Sequence, residues 1–171
     1  MPISNGGGGG VQAVRAATAT LTDAQVKALQ ATPIQVLASQ GAGTIIVPLH
    51  ATLRLAWTAD YAGIDAAATI NIANGTNQSM GVLREDENNS VSALLAGGGP
   101  DGSIAWLPFD ALAFLPSTPA FQRIFADSGF FDSDIADKPL MLTCANNGSN
   151  FTGGNAANTL KVTVVYYVVT F

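Results

Sequence analysis

The chain has 171 residues, 48% of them apolar and only 11% charged, with a formal net charge of −5. At about 100–200 residues per domain this length fits one folded domain, and so small a charged fraction excludes a disordered polyelectrolyte. Seven Lys and Arg, scattered singly among twelve Asp and Glu, lack the clustered cations that nucleic-acid binding requires.

The mean hydropathy is positive, +0.30, yet unbroken apolar runs such as Val164–Val169 fall far short of the ~20 residues a membrane helix needs, so no membrane protein is expected. Met1–Gly10 has neither a basic start nor an apolar stretch, so export by a signal peptide is not expected either. The single cysteine, Cys144, can form no intrachain disulfide or multi-cysteine metal site, which suits a reducing cytosol. Stability must come from packing and association. A lone soluble monomer carries more charge than this, so much of the surface is expected to be buried against other subunits.

In chain order, Met1–Gly10 ends in five consecutive glycines and reads as a flexible arm. Val11–Thr20, rich in Ala and Thr, predicts a weak strand belonging to that arm, with the folded domain running from residue 21 to 171. Thr22 and Gln25 have capping-box spacing, and good helix formers follow, which predicts a short helix over Thr22–Gln30, stopped before Pro33. Ile34, Val36 and Ala38 alternate with Gln35, Leu37 and Ser39, and Gln40–Gly43 supplies a turn. The strand predicted over Thr44–Thr58 puts Leu53, Leu55 and Trp57 on one face and Thr52, Arg54 and Thr58 on the other, with Pro48 placed to bend or bulge it.

Asp60–Ala66 reads as a turn and Ala68–Ala73 as a strand. In Asn74–Pro119 the pattern is open: Arg84–Asn89 is a charged loop, Val91–Leu95 suits helix or strand, and Gly97–Gly102 is a turn or loop. Prolines 108, 116 and 119 make Trp106–Leu115 extended or irregular, and Ala120–Ala126 predicts a short helix. Leu140–Cys144 reads as a strand and Asn146–Asn158 as a Gly- and Asn-rich loop. Thr159–Phe171 is the clearest strand, with Leu160, Val162, Val164, Tyr166, Val168 and Thr170 on one face and Lys161, Thr163, Val165, Tyr167, Val169 and Phe171 on the other. Both faces turn apolar toward its end, as in a strand at a sandwich centre or a subunit contact. Strands without regular intervening helices predict an all-β fold, a sandwich or jelly-roll-like domain with one or two short helices and a flexible N-terminal arm.

The chemistry-bearing residues do not assemble into a motif. His50, the only histidine, sits within a predicted strand without a nucleophile elbow or second histidine, which favours a structural or surface role. Cys144 has no cationic neighbours and reads as a buried, inert thiol. Glu85, Asp86 and Glu87, like Asp127, Asp132, Asp134 and Asp137, read as solvated loop charge, since the calcium-loop pattern is absent. The glycine clusters lack a phosphate-loop lysine, and Trp57, Trp106, Phe109, Phe114, Phe130 and Phe131 read as core or interface anchors. No catalytic, cofactor or metal site is therefore expected, and no enzyme.

Four segments carry a resemblance: Thr20–Leu29 (TLTDAQVKAL), Thr32–Pro48 (TPIQVLASQGAGTIIVP), Asp137–Leu142 (DKPLML) and Gly153–Tyr167 (GGNAANTLKVTVVYY). They resemble the start and end of small structural proteins encoded by tailed bacteriophages. The resemblance implies a virion component, assembled in the host cytoplasm and partnered by a major capsid protein or other virion proteins, while the charge and hydropathy above make nucleic acid and membrane unexpected partners. It implies capsid decoration, fibre or tail parts alike; the leading expectation is a capsid decoration or cement protein, and the alternative is a tail-fibre or receptor-recognition module whose loops Gly97–Ser103 and Asn146–Asn158 bind host surface glycans. A homotrimer is favoured by the resemblance together with the apolar C-terminal strand. The subunit contacts are expected from the arm and that strand, through Val11, Val14, Thr18, Tyr166, Tyr167 and Phe171. Removal of residues 1–20 is expected to leave a folded domain that attaches less well.

Overall fold

A computed structural model describes residues 13–66, 68–75, 78–83, 92–96, 103–108, 136–146 and 148–170. Among them the chain forms β1 (Arg15–Thr22), α1 (Asp23–Lys27), β2 (Ile34–Leu37), β3 (Thr44–Ala56), β4 (Tyr61–Ala62), β5 (Thr69–Asn74), β6 (Gln78–Leu83), α2 (Ser92–Ala96), β7 (Ser103–Pro108), β8 (Leu140–Ala145), β9 (Thr152–Gly153) and β10 (Thr159–Thr170). One sheet has the order β1-β10-β3-β7 and the other β2-β8-β5-β6, while β4 and β9 make a small ribbon. All the pairings are antiparallel. The fold is the expected all-β sandwich, with two short helices among the described residues.

The core forms between the sheets because alternate residues of each strand are apolar. From the first sheet come Leu21, Ala51, Leu53, Leu55, Leu160, Val162 and Val164; from the second come Val36, Ile70, Ile72, Leu140, Leu142 and Cys144. Successive strands tend to alternate between the sheets, with β1, β3, β7 and β10 in one and β2, β5, β6 and β8 in the other. Most connections between consecutive strands therefore lead from one sheet to the other.

Pro48 acts as expected. The β3–β10 register pairs Val165 with His50 but Tyr166 with Pro48, leaving Leu49 as an extra residue. A proline has no N–H for the ladder, and a bulge there accommodates the gap. The bulge also reverses the phase of β3: Ala51, Leu53 and Leu55 reach the core on one side of it and Ile46 on the other.

The capping box forms, with the Gln25 N–H donating to Thr22 Oγ1 and the Thr22 N–H donating to Gln25 Oε1 at 2.9 Å. The helix is shorter than predicted. It ends at Lys27 and unwinds through turns in which the Leu29 and Ala31 N–H groups reach back only three residues. Val26 and Leu29 are already buried by that point, so tertiary packing sets the length and not the propensity of the following residues.

Three expectations change. Residues 15–20 belong to the sandwich and not to an arm, because β1 pairs rung for rung with β10 of the same chain. Val91–Leu95, open on pattern, contributes to α2. The predicted turn Asp60–Ala66 contains β4, which is a strand only because β9 lies beside it. Met1–Gly10, Arg84–Asn89, Gly97–Gly102, Phe109–Leu115 and Ala120–Ala126 lie outside the described residues.

Candidate subunit-contact surface

The outer face of the first sheet has two halves. Across β1, β10 and β3 one half is polar: Thr18 stands opposite Thr163, which stands opposite Thr52, and Thr20, Lys161 and Arg54 form the next row. The Thr18 and Thr163 hydroxyl oxygens are 3.1 Å apart, a cross-strand hydrogen bond typical of a solvated sheet face. In the other half, beyond the bulge, Tyr167 pairs with Val47 and Val169 with Ile45. Val47, Tyr167 and Val169 are half-buried there, and Leu49 is 43% exposed at the bulge itself.

The residues expected to make subunit contacts are thus dispersed. Val14, just ahead of β1, is 63% exposed, and Thr18 is exposed on the edge strand. Tyr167 lies on the apolar half of the outer face. Tyr166 does not: it is 5% exposed and packs in the chain's own core, because it follows Leu160, Val162 and Val164 on the inward face of β10. Its assignment to a contact is corrected. Val11 and Phe171 lie outside the described residues.

Two buried asparagines that the sequence pattern did not single out organise the loops at one end. Asn146 accepts the Asp65 N–H at 2.7 Å through Oδ1 and donates through Nδ2 to the Gly63 and Ser149 carbonyls, while its own N–H donates to Gln30 Oε1. Asn158 accepts the Thr58 and Ala59 N–H groups and donates to the Ala59 carbonyl at 2.7 Å. They bracket the Gly- and Asn-rich loop. The available signal was their position at its two ends, where a side-chain amide can satisfy both backbone donors and acceptors.

Between these clamps lies a tight polar node. Asp23 is paired with Lys27 at 2.7 Å through Oδ2, but its Oδ1 is buried without a partner among the described residues, as is the Tyr61 hydroxyl. Burial pushes Tyr61 up to about 12; nearby Asp23 adds to this, while Asn158 acts in the opposite direction. Gly154 closes over the node at φ +68. A side chain there would meet Asp23 Oδ1 at 2.5 Å and the Tyr61 ring at 2.7 Å.

The other candidates are placed individually. Cys144 is buried in β8 opposite Ile70, and burial pushes its thiol up to about 12. His50 is half-buried in β3, between Val165 and Pro108 in register. Trp57 donates through Nε1 to Asp60 at 2.8 Å. Asp137, exposed with φ 58, exchanges hydrogen bonds with the Thr44 backbone at the start of β3. Trp106 stands in β7 opposite Thr52. Glu85, Asp86, Glu87, Asp127, Asp132, Asp134, Phe109, Phe114, Phe130 and Phe131 lie outside the described residues.

No family model matches the chain, and no curated protein is significantly similar to it. Among solved structures, it is similar to a chain described as "Cyanophage Pam1 capsid asymmetric unit", at 16% identity over 98% of this chain and 91% of that one. The TM-score is 0.43, a loose likeness. No helix among the described residues is long and apolar enough to cross a membrane.

Proposed function

We propose that this chain is a non-enzymatic structural protein of a bacteriophage virion, a decoration or cement protein that adheres to the shell and to its own copies. The observation that carries this reading is the strand order. With the ribbon set aside, the eight strands in sequence run 1-8-3-6 in one sheet and 2-7-4-5 in the other. That order supports a jelly roll, two interlocked Greek keys, an architecture that viral capsid domains use. The four segments that resemble phage structural proteins supply the end of β1, α1, β2, the first part of β3, the start of β8 and most of β10, so the resemblance falls on the scaffold of this same sandwich. A chain with 11% charged residues and a half-apolar outer sheet face suits repeated weak contacts, because each copy's modest adhesion is multiplied over a symmetric lattice.

Jelly rolls also occur in lectins, and the alternative is a tail-fibre module that binds host glycans. It would use the exposed polar loop between the two clamps, where Ser149, Asn150, Thr152 and Asn155 are exposed. Counting copies per virion by quantitative mass spectrometry separates the two: hundreds of copies fit decoration of the shell, and a handful would overturn it in favour of the tail. Attachment by an N-terminal arm is tested by deleting residues 1–12 alone. The deletion through residue 20 suggested by the sequence would strip six rungs of the β1–β10 ladder and destabilise the sandwich.

A further inference from the structure

We propose that the edge of β1, unpaired among the described residues, is an interface to a second copy of this chain, the two β1 strands pairing antiparallel across a two-fold axis. Two four-stranded sheets would become one continuous sheet. The pairing rests on the edges of the sandwich and does not depend on the virion reading.

An open sheet edge presents unpaired N–H and C=O groups to any extended chain, and proteins blunt such edges with shortness, prolines or bulges. Among the described strands, the two four-stranded sheets have four edges: β1, β7, β2 and β6. Three are blunted. β2 has four residues, and its ladder shifts between Gln35 and Leu37. The ladder between β5 and β6 shifts at Ile72/Ala73, where β6 contributes the extra residue. β7 ends on Pro108, which has no N–H to offer.

β1 carries none of these devices. Its eight residues pair one-to-one with Thr159–Tyr166 without a shift, and none is proline. Every second residue turns its N–H and C=O away from β10. The strand is also small-sided: Ala16, Thr18, Thr20 and Thr22 are exposed, Ala17 and Ala19 half-buried, so a second backbone can approach without displacing large side chains.

The occupant that fits is β1 itself. Its length is matched by that of an identical strand, whereas the other described edges of a second copy are short, bulged or proline-ended. Charge selects the antiparallel direction. Arg15 is the only charged residue in the strand. A parallel pair would set two Arg15 side by side, while an antiparallel pair centred on Thr18 or Ala19 separates them by six or eight residues, about 20–27 Å, well beyond the screening length. Val14, exposed just before the strand, would then pack on the partner copy.

The test uses the full chain. Sedimentation velocity should show a concentration-dependent dimer, in place of the trimer the resemblance implied. Single cysteines at positions 16 to 20 should crosslink only at the one or two positions nearest the two-fold axis; Cys144 stays in place because it is buried. Ala17→Pro and Thr18→Pro alter adjacent residues whose N–H groups point in opposite directions. The variant whose N–H points outward should keep its melting temperature and weaken association at least tenfold. A monomer at high concentration, a trimer, or a folded proline variant with unchanged association overturns the pairing. If neither proline chain folds, the cysteine series decides, and the absence of any crosslink overturns it. Shell binding by a chain that never self-associates would refute this interface and leave the virion reading standing.

Discussion

Gly154→Ala puts the polar node to its most direct test. The substitution has two separable costs. At φ +68 an alanine sits in the left-handed region, a penalty of about 1–2 kcal/mol. Its Cβ would also lie 2.5 Å from Asp23 Oδ1 and 2.7 Å from Tyr61 Cε1, distances that force one of them to move. Neither moves freely: Tyr61 is buried in the core, and Asp23 is held in α1 by its ion pair with Lys27. Displacing packed groups costs about 1–3 kcal/mol, so the total loss is about 2–5 kcal/mol. Gly148→Ala isolates the backbone part, because Gly148 has φ +76 and nothing within 4 Å of its would-be Cβ. Urea denaturation of the two variants should show Gly154→Ala less stable than Gly148→Ala by about 1–3 kcal/mol. Adding Asp23→Ala to Gly154→Ala should recover part of that difference, since it removes the nearer obstacle. Equal losses for the two glycines would refute the close approach of Gly154, just after β9, to Asp23 of α1 and Tyr61 of β4.

Asn146→Ala leaves the Asp65 N–H and the Gly63 and Ser149 carbonyls without their side-chain partner, at a cost of about 2–4 kcal/mol. Hydrogen exchange should quicken first around residues 63–66. Leu53→Ala, at a fully buried position in the centre of β3, should lose about 2–5 kcal/mol in the same denaturation assay. Stability should fall at alkaline pH: Cys144 is raised from its ordinary 9.0 to about 12 and Tyr61 from 10.0 to about 12. The unfolded chain releases these protons first, so their contribution is complete below pH 9 and is lost as the pH rises toward 12. Melting temperatures across that range check the direction, and Cys144→Ala should flatten the part between pH 9 and 10.

The sequence by itself determined the fold class and the strands that carry their own signal. The alternation in Thr159–Phe171 and in the second half of β3 was legible because one face of each strand packs on the core, and a period of two is the local imprint of that burial. The Thr22–Gln25 box and the Pro48 bulge were legible for a similar reason: each is a backbone consequence of one or two residues. Tertiary structure alone decided where β1 belongs. Ala and Thr fit an arm as well as an edge strand, and only the β10 ladder, some 145 residues away in sequence, separates the two. The same holds for β4 and for the Asn146 and Asn158 clamps, whose partners come from distant loops. Tyr166 and Tyr167 are neighbours in one apolar run, yet one is core and the other lies on the outer face. Their roles follow from which side of the sheet meets the second layer, and no local pattern encodes that.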